Sequence, residues 1–309
     1  MDAQASSTRS DSQLLSGSLY AIGAFGLWGA FPIYFAAVSS VPPGEILAHR
    51  IVWSELCVAV LLFVFGQWHA VRTCLADWRT VMALAGSAVT ISISWFVFIW
   101  AVVNEQVLEA SLGYYITPLV SVVFGRLVLG ERLRGIQWFA VGLAAFGVAF
   151  MLVQFGTLPW VALVLAITFC GYGLMRKIVS TGAMPGLLIE TLMMSPLALA
   201  YLALLSTSGD ATFAQGDAGM DFLLIAGGAV TAAPLIFYSL SVKRLRMAAV
   251  GLFQYITPTG QMLIATLLFG EMFTSTHLVT FGAIWLALAL YSYTAFRGRN
   301  TAPPAVRDV

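Results

Sequence analysis

Apolar residues fall along this chain in ten long blocks separated by short polar stretches: 17–37, 45–66, 79–102, 107–129, 135–154, 158–178, 185–206, 221–241, 247–269 and 275–295. A helix needs roughly 20 apolar residues to cross a bilayer, so each block predicts one membrane span. The blocks are continuous rather than alternating at every second residue, which argues against the strands of a membrane barrel. The predicted fold class is therefore an all-α integral membrane protein with ten transmembrane helices. The polar segment 1–16 predicts a disordered tail. The first span is too long for a signal-peptide core and is expected to stay as an anchor. Residues 297–309 predict a second tail.

Composition narrows the picture. The chain is 60% hydrophobic and only 9% charged, against about 25% charged in a soluble domain. The spans leave no room for a separate soluble domain. With a cytoplasmic N-terminus, fourteen of the fifteen basic residues fall on the cytoplasmic side, Arg50 being the exception. The opposite loops carry Glu105, Asp210, Asp217 and Glu271, without Lys or Arg. That asymmetry predicts both termini in the cytoplasm, in a multi-pass protein of a bacterial inner membrane. Cys57, Cys74 and Cys170 predict no structural disulfide.

The three histidines and three cysteines show no metal-ligand spacing, so neither metal nor cofactor is expected. There is no phosphate-binding G-x-x-x-x-G-K-[ST] loop to power a pump. The expected partners are a small-molecule substrate and the lipid bilayer, with no nucleic acid and no obligatory protein partner.

The chain also repeats itself. The tetrapeptide YITP at Tyr115–Pro118 returns at Tyr255–Pro258, 140 residues on. Around it, Leu127, Gly130-Glu131 and Gly142 match Leu267, Gly270-Glu271 and Gly282. SAVT at Ser87–Thr90 answers GAVT at Gly228–Thr231, PGEIL at Pro43–Leu47 answers PGLLI at Pro185–Ile189, and Gly29 answers Gly171. Five spans thus repeat as five, predicting two domains, 17–154 and 158–296. An odd number of spans turns the second copy over in the membrane, the inverted plan of many secondary transporters.

The sequence Pro118 … Leu129-Gly130-Glu131-Arg132-Leu133 … Gln137 … Gly142, with its echo Pro258 … Gly270-Glu271 … Gly282, resembles the paired EamA domains of the drug/metabolite transporter superfamily. GLWGAFPIYF (Gly26–Phe35), PPGEILAHRIVWS (Pro42–Ser54), EASLGYYITPL (Glu109–Leu119) and FQYITPTGQ (Phe253–Gln261) are similar to the RarD-type permeases within it. The resemblance implies a ten-helix bundle in which spans 1–4 and 6–9 surround a central cavity and spans 5 and 10 lie outside.

Candidate residues follow from what is costly in hydrocarbon. Pro118 and Pro258 each deprive a mid-span carbonyl, that of Tyr114 or Gln254, of its helical partner. Either they are kinks relieved by Thr117 and Thr257, or they mark hinges and cavity walls. Tyr115 and Tyr255 flank them, and Gln254 and Gln261 would be costly facing lipid. Gly113, Thr117, Ser121 and Gly125 form a small-residue stripe suited to helix packing. Arg50 needs a carboxylate (Glu45, Glu55 or Glu109), an aqueous cavity, an anionic or zwitterionic substrate, or a reach to the outer headgroups by snorkelling. His49, Glu109 and Glu190 are candidates for proton coupling, against packing roles. Trp95 and Tyr114 are among the aromatic residues able to line an amphipathic pocket, with Trp28, Phe31 and others. Glu131 and Glu271 predict caps on the helices that follow them. These features predict a secondary transporter, read as an exporter, of small organic metabolites or drug-like compounds. A membrane enzyme on lipid-linked substrates and a passive channel are the competing classes.

Overall fold

The computed structural model describes residues 2–104, 107–155, 160–270 and 275–297, and every regular element among them is a helix. In chain order these are α1 (Asp2–Gly29), α2 (Phe31–Ala37), α3 (Pro43–Val64), α4 (Trp68–Ala76), α5 (Trp78–Val103), α6 (Val107–Leu127) and α7 (Gly135–Phe155). They continue with α8 (Trp160–Ile178), α9 (Ala183–Ser208), α10 (Ala218–Arg244), α11 (Met247–Phe253), α12 (Ile256–Leu267) and α13 (Ser275–Arg297). Among the described residues, seven helical stretches are long and apolar enough to cross a membrane, and Leu112–Leu127 and His277–Tyr291 are shorter apolar helices. Helix α1 takes in the polar residues expected to form a tail. No Gly or Pro interrupts them before Gly17, so nothing stops helical geometry from extending outward.

Two predicted spans are broken rods. The block 17–37 divides at Ala30, and Pro32 stands in the first turn of α2, where its missing N–H has no helical partner to lose. The block 247–269 divides at Gln254 and Tyr255, between α11 and α12. Pro258 cannot donate to the Gln254 carbonyl, which instead accepts from the Thr257 N–H at 3.0 Å. In the first YITP copy α6 runs unbroken through Pro118, and the Thr117 hydroxyl bonds back to the Gly113 carbonyl at 2.5 Å. One motif thus yields a continuous helix in one half and a break in the other. The short helix α4 was hidden among loop residues. Its signal is the spacing of Trp68, Val71 and Leu75, a narrow apolar stripe.

Packing positions the interior. Helix α1 lies on α10 and α8 on α5; α3 runs between α9 and α10; α6 touches α8 and α11; α12 touches α1 and α7 pairs with α13. Small residues set the closest crossings. A Cβ on Gly260 would stand 3.1 Å from the Gly29 Cα, and one on Gly251 2.7 Å from the Pro118 carbonyl oxygen. On α6, Gly113 meets Ala162 and Leu165 of α8, so the stripe packs against α8 at that position.

Gly130 (φ 64°) and Gly270 (φ 71°) both adopt the left-handed backbone that glycine takes without strain. The turn at Gly130 swings Glu131 away from α7. Its carboxylate accepts from the N–H groups of Met247 (2.7 Å) and Ala248 (3.2 Å). Glu131 is therefore a cap, as expected, but of α11 in the other half rather than of the next helix in sequence. Helix α7 is capped instead by the Gln137 amide oxygen, which accepts from the Arg134 N–H at 2.9 Å. Glu271 lies outside the described residues. Glu131→Ala removes two charge-assisted hydrogen bonds and is expected to cost about 1.5–3 kcal/mol. Glu131→Gln, which keeps an acceptor, should cost less. The apparent melting temperatures of the two purified variants check this order.

Candidate functional site: a central aromatic cavity holding Arg50

Helices α1, α2, α3, α5, α6, α8, α10, α12 and the break before α12 enclose a cavity of about 140 Å³. Helices α7, α9 and α13 contribute nothing to its wall among the described residues. Eight of the nineteen lining residues are aromatic: Phe25, Trp28, Phe31, Phe35, Trp95, Phe98, Phe169 and Tyr114. Trp28 is fixed by the rings of Phe169 and Tyr238, each 5.6 Å from it.

Arg50 reaches this cavity because α3 and α10 approach closely. A Cβ on Gly227 would collide with the Tyr34 hydroxyl and stand 3.2 Å from Arg50 Cγ, while one on Gly228 would strike the Trp53 backbone. Arg50 Nε donates to Thr231 Oγ1 at 2.8 Å. The Thr231 hydroxyl is itself anchored on the Gly227 carbonyl at 2.8 Å. The guanidinium stands 5.4 Å from the ring centres of both Phe31 and Phe35, within cation–π range.

The carboxylates proposed for Arg50 are engaged elsewhere. Glu45 accepts from the N–H groups of Thr212 (2.8 Å) and Phe213 (3.0 Å), and Glu55 accepts from the Ser195 hydroxyl. The Glu109 side chain lies outside the described residues. Among the described residues, the ion pairs are His49–Glu45 and Arg176–Glu190, neither involving Arg50.

Gln254 brings a further polar group to the wall. It stands where α11 ends, is 4% exposed, and its Oε1 accepts from Ser121 Oγ at 3.1 Å. Its Nε2 has no hydrogen-bond partner among the described residues.

The other sequence candidates divide. Trp95 and Tyr114 line the cavity, as do Thr117 and Thr257 of the two YITP motifs. Tyr115, Pro118, Tyr255 and Pro258 stand behind it. There the Tyr255 hydroxyl donates to the Tyr115 carbonyl at 3.3 Å, so the two motifs touch. Gln261 also lies off the cavity, its Nε2 3.4 Å from the Trp28 carbonyl. His49 is directed elsewhere: its Nδ1 accepts from Trp53 Nε1 at 3.2 Å, and it lines a separate recess with Glu45 and Phe213.

Glu190 is buried outside the cavity wall, in a network absent from the sequence reading. Its Oε1 accepts from Ser87 Oγ at 2.6 Å and stands 3.6 Å from Arg176 Nη1, and its Oε2 accepts from the Tyr172 hydroxyl at 3.5 Å. Arg176 is 1% exposed and also donates to Ser239 Oγ (2.6 Å) and the Ala183 carbonyl (2.8 Å). The cluster ties α5, α8, α9 and α10 together. Gly186 makes room for it, since a Cβ there would strike the guanidinium. In the sequence, Arg176 reads as an interfacial charge beside Lys177; only its partner Glu190, about a turn and a half into the next predicted span, hinted otherwise.

Phe35, Phe98, Phe169 and Thr231 were also missed as lining. Thr231 had a signal, the GAVT echo of SAVT. The phenylalanines had none, because an apolar helix facing a cavity and one facing lipid look alike.

Comparisons with known proteins fit this geometry. The EamA-like transporter family matches residues 15–153. Protein RarD of Escherichia coli is 43% identical over 279 residues, covering 90% of this chain and 94% of its own. An uncharacterized transporter of Pseudomonas aeruginosa is 42% identical over 293 residues, covering 94% and 97%. A crystal structure 19% identical in sequence superposes with a TM-score of 0.68 over 93% of this chain and 99% of its own, a likeness of fold alone.

Proposed function

The chain belongs to the RarD-type permeases of the EamA family, and on that footing we propose a ten-span secondary transporter built from two inverted five-helix repeats. It moves a small organic metabolite or drug-like compound through the central cavity by alternating access, in the direction of export, with both termini cytoplasmic. The observation that carries this reading is the cavity itself: an aromatic chamber with one guanidinium, walled by helices of both halves.

The repeat finds support in the packing. Under it α1 corresponds to α8 and α5 to α10, and the α1–α10 contact has its counterpart in α8–α5. The α3–α9 and α6–α11 contacts map onto themselves. Equivalent pairs do not all pack equally: α3 lies along α10 more extensively than α9 lies along α5. Such inequality suits a carrier held in one of two states whose halves exchange roles. Glu190 and His49 are buried titratable groups available for proton coupling; Glu109 is the third candidate from the sequence.

Counterflow in proteoliposomes tests the reading. Organic acids, amino acids, amines and antibiotics are loaded inside in turn, and uptake of labelled compound is measured. The expected result is saturable uptake accelerated by internal substrate. Non-saturable flux without that acceleration would indicate a channel, and chemical conversion of added lipid an enzyme. Uptake indifferent to an imposed pH gradient would remove proton coupling.

A further inference from the structure

The polar groups of the cavity are unevenly matched. Thr117, Thr231 and Thr257 already donate their hydroxyl protons to the carbonyls of Gly113, Gly227 and Phe25. Besides the hydroxyls of Ser94 and Tyr114, Arg50 and Gln254 have N–H donors to spare. Arg50 uses its Nε–H on Thr231 and presents the remaining guanidinium N–H groups without a carboxylate partner among the described residues. Gln254 Nε2, nine-tenths or more buried, is likewise unmatched. No Asp or Glu lines the cavity among the described residues. A buried donor without an acceptor is costly, and a charged one in a membrane span more so. Among the described residues, the cavity therefore has an excess of positive charge and of N–H donors.

We propose that its ligand is an organic monoanion, a carboxylate on an apolar body about the size of one aromatic ring. The carboxylate lies against the Arg50 guanidinium, in the cavity that Gln254 also lines. The planar fork of guanidinium N–H groups matches the two carboxylate oxygens. The body lies among Trp28, Trp95 and Phe169. A cavity of about 150 Å³ lined by apolar residues holds one benzene, which sets the scale for the 140 Å³ here. An ammonium group is disfavoured twice: the guanidinium repels it, and the Phe31 and Phe35 rings already bear on Arg50. The inference names the substrate class of the transporter proposed above and rests on that reading.

Four compounds sharing one ring and differing in charge test it: 3-phenylpropionate, its neutral amide, 2-phenylethylamine and L-phenylalanine. Their affinities are measured by calorimetry on the full-length protein in lipid nanodiscs, and the same four are used in counterflow. The acid is expected to bind at least about 10-fold more tightly than the other three. Arg50→Gln should lower its affinity about 10- to 100-fold, as loss of a charge-assisted contact implies, and abolish its advantage over the amide. Arg50→Lys should restore part of it.

Equal or tighter binding of the amine, the amide or the amino acid overturns the proposal. So does an unchanged preference in Arg50→Gln, or no binding of the acid up to about 10 mM. If Arg50→Gln does not fold, the acid–amide pair on the unmodified protein decides. Tight acid binding without counterflow would sink the transport reading and leave the ligand class standing. Saturable counterflow of the amine would do the reverse.

Discussion

Glu190→Ala is expected to destabilise the protein by about 3–5 kcal/mol, the range for breaking a buried ion pair from one side. The carboxylate is 2% exposed and its partner Arg176 is 1% exposed, so truncation leaves a guanidinium with no counter-charge in the middle of four helices. Arg176 keeps its bonds to Ser239 and the Ala183 carbonyl, but these are dipoles and do not neutralise it. Replacing both partners, Arg176→Met with Glu190→Leu, should recover much of the loss, because a well-packed apolar pair avoids the cost of dehydrating both ions. The apparent melting temperature of the two single variants and the double in nanodiscs gives the coupling. Additive single losses would show that the two charges do not depend on each other. Glu190→Gln separates stability from proton coupling: it retains an acceptor for Ser87 but cannot titrate, so it should weaken pH-driven transport more than counterflow.

Gly228→Ala should have the second-largest effect. The added methyl would strike the backbone of Trp53, which cannot rotate away as a side chain could. Helices α3 and α10 must then move apart, at a cost of about 1–3 kcal/mol or somewhat more. Thr231 stands one turn further along the same face of α10, so separation also lengthens the Arg50–Thr231 bond of 2.8 Å. The variant should therefore lose both thermal stability and ligand affinity. Gly26→Ala, on α1, where a Cβ meets nothing within 4 Å, is the control and should change neither. Unaltered melting and binding in Gly228→Ala would mean that α3 and α10 are less tightly joined than the structure has them.

These two sites mark what could be read in the sequence and what could not. Continuous apolar blocks predict helices well because hydrocarbon leaves the backbone few other ways to satisfy its polar groups. The YITP echo brought together positions that do meet, Tyr115 with Tyr255. Arg50 stood out because a charge inside a span demands an explanation. Its actual surroundings did not: Thr231 is 181 residues away, and the nearby Glu45 and Glu55 seemed better partners on local spacing. Tertiary position decided between them. Arg176 was hidden for the opposite reason, since a basic pair at the end of a span ordinarily marks the interface. The unequal fates of Pro118 and Pro258 were not legible either. The same four letters are held straight in α6 and broken after α11 by what packs against each.

The aromatic wall of the cavity has an optical consequence. Of the nine tryptophans, Trp28 and Trp95 face the cavity, whereas Trp68, Trp78, Trp138, Trp160 and Trp285 are exposed on the outside of the bundle. Indole emission follows the polarity of its immediate surroundings. With those five outer indoles changed to phenylalanine, the remaining fluorescence is weighted toward the chamber, and water leaving it for an apolar occupant shifts the spectrum to the blue. The protein thus carries an internal lamp for its own occupancy, readable without any attached dye.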